Sequence, residues 1–501
     1  MDGFMKCGLN DGKIYDAVVV GIDPTGDLAV VKLLGRDDFP AAIIGDSDQT
    51  RIGDGSYAMG NPFLLATDFQ PTVTYGMVSG VHRYQYPAGT FLEYTDCLQV
   101  DTSINPGNSG GPLFSEQGEL IGINGRISIE KRGRVNVGVG YAISSNQVQN
   151  FLDHLKSGRI VDHATLGATV SSNDDGAVVV AKILEQSEAY RRGLRVDDEI
   201  VTFAGRPIHS VNQFKNILGI YPKGWKLPVT YRREGQKHEV YVRLRALHRA
   251  AELSPDRPQG PPGEPPPDRQ PDDPEPRPRP GPPLRPQREG LAPPAEYADM
   301  FIRRPGFANY FFNQLERDRV MATVHGLGDF AGLEGLWTLS GHTLDGRDFQ
   351  FKLGRESVAV KIGNDVGVQP LDAEFTDAPP GSGGLLAALH ALKMLLLDPA
   401  GYFSEFYYVG TEPLDGNGER VDVLTTFRNQ VTSRWYFHRA DGRWAGFDTA
   451  VAEDVDECEI RIENLGVFNG RTLPARFAVR HGDQAFATFV IESVELAAAT
   501  E

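Results

Sequence analysis

The chain has 501 residues, 40% hydrophobic and 23% charged, an ordinary soluble-protein composition with room for two to four domains. A net charge of −17 argues against nucleic acid and against an anionic membrane surface as partners, since both demand a basic face. Cys7, Cys97 and Cys458 stand far apart in sequence, so neither a disulfide framework nor a zinc site follows, and no cofactor or metal is implied.

Residues 1–160 carry short β-type runs separated by glycine turns: "DAVVVGI", "LAVVKLL", "VTYGMVSGV", "ELIGING" and "NVGVGYAI". Regular spacing of such runs predicts a sandwich or barrel. The opening "MDGFMKCGLNDGK" has neither the basic start nor the apolar core of a signal peptide. The unit closes on a predicted helix, "SSNQVQNFLDHLKSG", capped by Ser144 or Ser145 and stopped by Gly158. Val148, Phe151, Leu152 and Leu155 share its apolar face.

Residues 164–247 form a smaller unit of strands and two helices. "SEAYRRG" predicts a short helix between Ser187 and Gly193, and "SVNQFKNILG" carries a Ser210–Gln213 capping box and stops at Gly219. The hairpin "LPVTYRREGQKHEVYVRLRAL" turns at Glu234-Gly235, with Val240, Val242 and Leu244 alternating inward.

Residues 251–295 are a linker. Half of the 34 prolines fall between Pro255 and Pro294, among mixed charges and few apolar residues, so this segment cannot bury a core. Residues 296–501 then predict a mainly antiparallel α+β domain. Its signals are the helix "FANYFFNQLERDRV", hairpin turns at Asp345-Gly346, Asp441-Gly442 and His481-Gly482-Asp483, and three tryptophans (Trp337, Trp435, Trp444) expected in the core. "LLAALHALKMLLL" (385–397) is too short to span a membrane and predicts a buried helix.

The stretch that carries chemistry is "INPGNSGGPLF" (104–114). It matches G-x-S-x-G, but a nucleophile elbow needs a helix after the serine, and "GPLFSEQGELIGING" predicts a hairpin. A chymotrypsin-like arrangement fits better. The turn Gly107-Asn108-Ser109 can aim the backbone N–H groups of Gly107 and Ser109 at one point, an oxyanion hole. Gly107 permits the required backbone angles, and Gly110 and Gly111 keep the approach clear.

Residues 10–145 resemble the HtrA/Deg family of trypsin-like serine proteases. The resemblance rests on "LNDGKIYDAVVVGIDPTGDLAVVKL", "GDGSYAMGNPF", "TVTYGMVSGV", "LQVDTSINPGNSGGPLFSEQGELIGIN" and "VGYAI", in the family's order. It implies an incomplete chymotrypsin-like double β-barrel, with Ser109 as nucleophile and Asp27 as the triad acid. Asp23 is the neighbouring competitor, and "DPTGD" makes it the better turn former. By the same resemblance the strand holding Gly122, Ile123 and Asn124 lines a specificity pocket for small aliphatic residues. Homotrimers or larger assemblies and a periplasmic or cell-envelope setting follow from the resemblance as well.

The family's order is His, Asp, Ser, and here the first of 11 histidines is His82, downstream of Asp27. The imidazole must bridge acid and serine in one geometry, so His82, His154 and His163 are read as surface or turn residues. The expected histidine falls just before Met1. The sequence therefore reads as one that starts inside a protease domain, without its base, and a polypeptide of this sequence is expected to be nearly inert.

Residues 164–247 resemble the PDZ domain that follows the protease in this family. Leu166, Gly167 and Ala168 match its carboxylate-binding loop, which implies capture of unfolded or C-terminal peptides as an added strand. Ala168 replaces a larger aliphatic residue there, and "RVDDE" stands where proline-glycine-aspartate is common. The closing "LPARFAVRHGDQAFATFVIESVEL" resembles curved, half-barrel lipoprotein-carrier sheets, behind a generic interaction or envelope-anchoring role. Two functions compete for the chain: a serine endopeptidase of quality control, and a catalytically silent PDZ adaptor. An apolar-ligand role for the C-terminal domain is a third.

Overall fold

Period-two alternation becomes strand pairing throughout the first third of the chain. The computed structural model describes residues 3–61, 69–85, 92–127, 138–253 and 294–498. The proline-rich linker thus lies almost wholly outside the described residues, as do Pro62 and Phe63. Contacts divide the chain into two units. One comprises Met1–Ala164, Asn212–Lys223 and Ala246–Phe311, the other Thr165–Val211, Gly224–Arg245 and Phe312–Glu501.

In the first unit, β1 (Phe4–Gly8), β2 (Ile14–Asp23) and β3 (Leu28–Leu33) form an open antiparallel sheet of three strands. The next six strands are β4 (Gly55–Gly60), β5 (Thr72–Gln85), β6 (Tyr94–Val100), β7 (Pro112–Ser115), β8 (Leu120–Ile127) and β9 (Gly140–Ser144). They close into a barrel in the order β4-β5-β6-β9-β8-β7. Ala58, Val78, Leu98, Val100, Leu113 and Ala142 fill its interior. Closure removes every free edge from this barrel, whereas the three-stranded sheet keeps its own. One closed antiparallel barrel and one open antiparallel sheet agree with the mainly β expectation for this segment.

Helix α1 (Ser145–Lys156) starts where Ser144 accepts the N–H of Gln147 and ends before Gly158 at φ +75°. Its Phe151 and Leu155 join Leu28, Tyr94, Cys97 and Ile143 in one core, which ties the open sheet to the barrel. The expectation that His154 and His163 lie at the surface is wrong. Both are buried, His163 with its ring 4.5 Å from that of Phe151.

The strands of the segment 164–247 are β10 (Ala164–Thr165), β11 (Ala168–Ser172), β12 (Val178–Ile183), β13 (Glu199–Phe203), β14 (Arg206–Pro207), β15 (Lys226–Arg233), β16 (Gln236–Arg243) and β17 (Arg245–Ala246). Between them come α2 (Glu188–Arg191), capped by Ser187, and α3 (Val211–Gly219). The main sheet runs β11-β12-β13-β15-β16, leaving β11 at an edge. Glu234 and Gly235 both take positive φ, as a two-residue hairpin turn demands. Helix α3 clusters with the first unit, where Asn216 donates to the carbonyl of His82 and accepts the N–H of Asp96.

The C-terminal domain begins with α4 (Tyr310–His325), then β18 (Trp337–Thr343), β19 (Asp348–Leu353), β20 (Ser357–Ile362) and β21 (Asp365–Pro370). After α5 (Leu385–Leu397) and α6 (Pro399–Tyr402) come β22 (Glu405–Pro413), β23 (Arg420–Arg428), β24 (Val431–His438), β25 (Trp444–Ala450), β26 (Cys458–Phe468), β27 (Arg471–His481) and β28 (Gln484–Leu496). All eleven strands make one antiparallel sheet, β21-β20-β19-β18-β28-β27-β26-β25-β24-β23-β22. Its two edge strands are consecutive in the chain, so the connection bearing α5 must cross from one edge to the other.

Flat, eleven strands would span about 50 Å at roughly 4.8 Å spacing. Helix α5, about 20 Å long, nevertheless touches β19–β21 towards one edge and β24 and β25 towards the other. The sheet therefore curls around it, which explains a helix apolar on nearly all sides. Trp337, Trp435 and Trp444 are buried in that core.

Alternation gives the sheet a second, charged face. Trp435, Phe437, Phe447, Ile460 and Val479 belong to the core around α5. Their neighbours Arg434, Tyr436, Asp448, Glu459, Arg461 and Arg480 lie on the opposite side. Onto this side β16 places Arg243, which donates to Glu412 at 3.1 Å, Asp448 at 2.8 Å, Glu457 at 3.2 Å and the Tyr436 hydroxyl at 3.2 Å. Lys226 meets Glu459 at 2.5 Å, and Arg461 pairs with both Asp448 and Asp415. Removing one member of such a buried network leaves charges unpaired, at a cost of about 3–5 kcal/mol. Arg243→Ala should therefore lower the urea midpoint of the full chain, followed by tryptophan fluorescence. An unchanged midpoint would show that these charges stand independently.

Candidate functional site

The turn that carries Ser109 is held by its backbone. Asn108 donates to Asn105, Gly111 donates to Asn108, and Gly110 donates to the carbonyl of Asn124 on β8 at 2.7 Å. Gly107 sits at φ +110°, a conformation that favours glycine, and its carbonyl accepts the N–H of Asn61. The N–H groups of Gly107 and Ser109 donate to no described residue. Gly110 has open space around it, as expected, but Gly111 serves packing instead: a β-carbon there would lie 2.2 Å from the carbonyl of Met59 on β4.

Ser109 is exposed and its hydroxyl donates to the carbonyl of Gly125 at 3.0 Å. β8 thus runs beside the serine, through Asn124 and Gly125. Of the three β8 residues expected in the pocket, Gly122 and Asn124 are buried and Ile123 is half-buried. A β-carbon on Gly122 would press on the carbonyl of Ile143, and Asn124 donates its side-chain amide to Pro112. Gly125 belongs to the same strand, "GINGR" (122–126), which the family resemblance assigns to the pocket, although only Gly122, Ile123 and Asn124 are singled out there.

Asp27 is exposed at φ +59°, and its carboxylate accepts the Tyr94 hydroxyl at 2.5 Å. The Tyr94 ring lies against Gly125, where a β-carbon would come within 2.6 Å of it. One tyrosine therefore connects the region of Asp27 to the strand that holds Ser109. Sequence reasoning gave no role to Tyr94, because its neighbours are distant in the chain.

Asp23 is the turn former that its sequence suggests. One carboxylate oxygen accepts the N–H groups of Thr25 and Gly26, and the other meets Nε2 of His163 at 2.8 Å, fully buried. Burial alone would push this imidazole's pKa down, but the Asp23 charge and hydrogen bond more than offset it, leaving it raised. His82 pairs with Asp96 at 2.6 Å, and Asp48 offers a third oxygen within 4.8 Å of both. That is a hydrogen-bonded pair beside an exposed acid, and no metal role follows.

In the PDZ sheet, Leu166 is buried and Gly167 takes φ +74°. The Gly167 carbonyl accepts the N–H of Leu184, and a β-carbon there would meet Ser187 at 2.6 Å. Ala168 begins the edge strand β11. This loop therefore leads directly into β11, which among the described residues pairs with β12 alone, an edge of the kind that peptide addition uses.

Linkage gives a signed expectation for the Asp23–His163 pair. A raised imidazole pKa stabilises the fold fully below the unfolded value of about 6.5 and loses that stabilisation as pH rises through the folded pKa. His163→Asn should be most destabilising near pH 5.5 and less so near pH 8.5, compared by urea unfolding against the parent chain.

A family model for the trypsin-like peptidase domain matches residues 2–123, and one for the PDZ domain matches residues 164–244. Among curated relatives, a probable periplasmic serine endoprotease DegP-like of Chlamydia muridarum is 35% identical over 251 residues, covering 48% of this chain and 48% of that protein. The periplasmic serine endoprotease DegP of Escherichia coli K12 is 34% identical over 251 residues, covering 48% and 51%. The chain spans about half the length of the curated relatives it matches. A solved structure, HtrA-type protease AlgW with decapeptide, is 32% identical over 49% of this chain and 75% of that one, with a TM-score of 0.38. The sequence agreement carries that likeness. Two matched domains in this order, with relatives aligned across them, place the chain in the HtrA/Deg family of trypsin-like serine proteases with a PDZ domain.

Proposed function

We propose that the protein is a serine endopeptidase of protein quality control, taking unfolded or mislocalised polypeptide in the cell envelope, and that a polypeptide of these 501 residues alone binds such peptides while hardly cleaving them. In this reading Ser109 attacks the scissile carbonyl and the Gly107 and Ser109 amides stabilise the oxyanion. Asp27 orients an imidazole, and Gly122, Ile123 and Asn124 line the specificity pocket. Leu166, Gly167 and Ala168 take the terminal carboxylate of a peptide that adds to β11. A trimer-based homo-oligomer and a periplasmic setting accompany the proposal, the latter in keeping with the names of the relatives.

The observation that carries it is the pair of amides at Gly107 and Ser109. Both are without a described acceptor, beside a serine whose hydroxyl lies on the β8 backbone. Two such donors are worth about 3–4 kcal/mol each to an acyl-transfer transition state. In this reading a polypeptide of these 501 residues alone would be limited by its base. No histidine precedes Asp27 in the sequence, Ser109 donates to a carbonyl, and Asp27 accepts from a tyrosine. Loss of the base costs about a million-fold in turnover, near 8 kcal/mol.

The edge position of β11 favours the adaptor as the second reading. A fluorophosphonate should label Ser109 only marginally above the Ser109→Ala background, while an unfolded peptide with a free C-terminus binds the same sample. Gly167→Ala should weaken that binding at least tenfold. Rapid stoichiometric labelling would overturn the silent-serine reading, and absence of peptide binding would overturn the adaptor.

A further inference from the structure

The C-terminal domain holds a cavity of about 470 Å³ at one end of α5, within the size range of small-ligand sites. His390, Lys393, Met394 and Leu397 line it from one face of the helix, at i, i+3, i+4 and i+7. Leu371 and Phe375 supply further apolar wall, Arg355 contributes from the β19–β20 turn, and Arg428 from the end of β23.

The charges in this cavity do not balance in the usual way. The Lys393 ammonium is buried, yet it donates only to neutral carbonyls, those of Gly335 at 2.6 Å, Leu353 at 2.9 Å and Glu334 at 3.4 Å. Buried charges are ordinarily paired with an opposite charge. Arg355 has no hydrogen bond or ion pair to a described residue. Arg428 donates to the Tyr402 carbonyl at 2.6 Å and lies over its ring. Two acids also line the cavity. Asp398 caps α6 through the N–H of Gly401, and the Glu334 carboxylate forms no ion pair with Lys393.

Burial is the main influence on two of the lining groups, and neighbouring positive charge adds to it. Burial and the nearby Arg355 pull the Lys393 ammonium down to about 8, and burial together with Lys393 and Arg428 pulls the His390 imidazole down to about 4. His390 uses Nε2 on the Tyr402 hydroxyl at 2.9 Å, while its Nδ1 is buried without a partner. An orphaned ring nitrogen, a buried ammonium with no ion pair at contact distance and two guanidinium groups thus share one apolar-walled space.

We propose that this cavity binds an amphiphilic carboxylate, its acid group held by Arg355 and Arg428 and its apolar tail lying along Leu371, Phe375, Met394 and Leu397. A carboxylate supplies the missing negative charge, and a tail covers the apolar wall that a small inorganic anion would leave wet. The site shares no residue with the Ser109 turn or with the Leu166-Ala168 loop.

The test uses the full chain and calorimetry with octanoate, octan-1-ol and acetate. Octanoate should bind one to one, and the alcohol and acetate at least tenfold more weakly, because each lacks one half of the recognition. An Arg355→Gln/Arg428→Gln double variant should lose at least tenfold in octanoate affinity while its octan-1-ol affinity stays the same. Met394→Trp, which fills the cavity, should abolish both. Near-UV circular dichroism checks that each variant keeps its core. No octanoate binding by the parent chain overturns the site, and equal affinity for octanoate and octan-1-ol overturns the carboxylate. Octanoate binding unchanged in the double variant and in Met394→Trp overturns the location.

Discussion

The second unit depends on a buried guanidinium. Arg243 leaves the PDZ hairpin and is met by three carboxylates and a phenol from four different segments of the C-terminal domain. Desolvating that much charge is costly, so the arrangement holds only while every partner is present. An apolar contact of equal area could slide, but hydrogen bonds that exact direction as well as distance fix one register between hairpin and sheet. The carboxylate of Asp448 is held well below its ordinary range despite burial, because Arg461 and Arg243 both face it. The opposite face of the same strands can then be wholly apolar around α5, since the period-two alternation separates the two chemistries.

The first unit is organised by a hydrophobic core rather than by charge. Leu28, Tyr94, Ile143 and Phe151 come from the open sheet, the barrel and α1, and only their packing brings Asp27 and Ser109 to one part of the molecule. Tyr94 is the joint. Its ring lies against Gly125, which has no β-carbon to keep it away, and its hydroxyl ends on Asp27. The serine turn is set more locally, by Gly107 at positive φ and by ladder hydrogen bonds to β8.

Three chemistries therefore rest on separate sets of residues: a serine turn beside β8, a sheet edge that leads on from Gly167, and a charged, apolar-walled cavity at the end of α5. The first two belong to the matched peptidase and PDZ segments, and the third lies beyond residue 244, where those segments end. Peptide capture in such a chain does not require turnover, because strand addition uses backbone groups and not the Ser109 hydroxyl.

By itself the sequence determined what local geometry encodes. Ser144, Ser187 and Gly158 mark helix ends, Glu234-Gly235 marks a hairpin, and "GNSGG" marks a serine turn, because caps and positive-φ turns depend on a few adjacent residues. The apolar run 385–397 was legible as a buried helix for the same reason. Tertiary structure alone decided the rest. His154 and His163 looked like surface residues because nothing in their neighbours shows what packs on them, and Asp23, the partner of His163, lies 140 residues away. Gly111 looked like a means of substrate access and is instead a point of close approach to β4. Sequence reasoning gave no role to Arg243, whose partners lie on strands far downstream, or to Lys393, whose carbonyl partners come from segments around the sheet. Burial and electrostatic pairing are properties of assembled surfaces, and no local pattern records them.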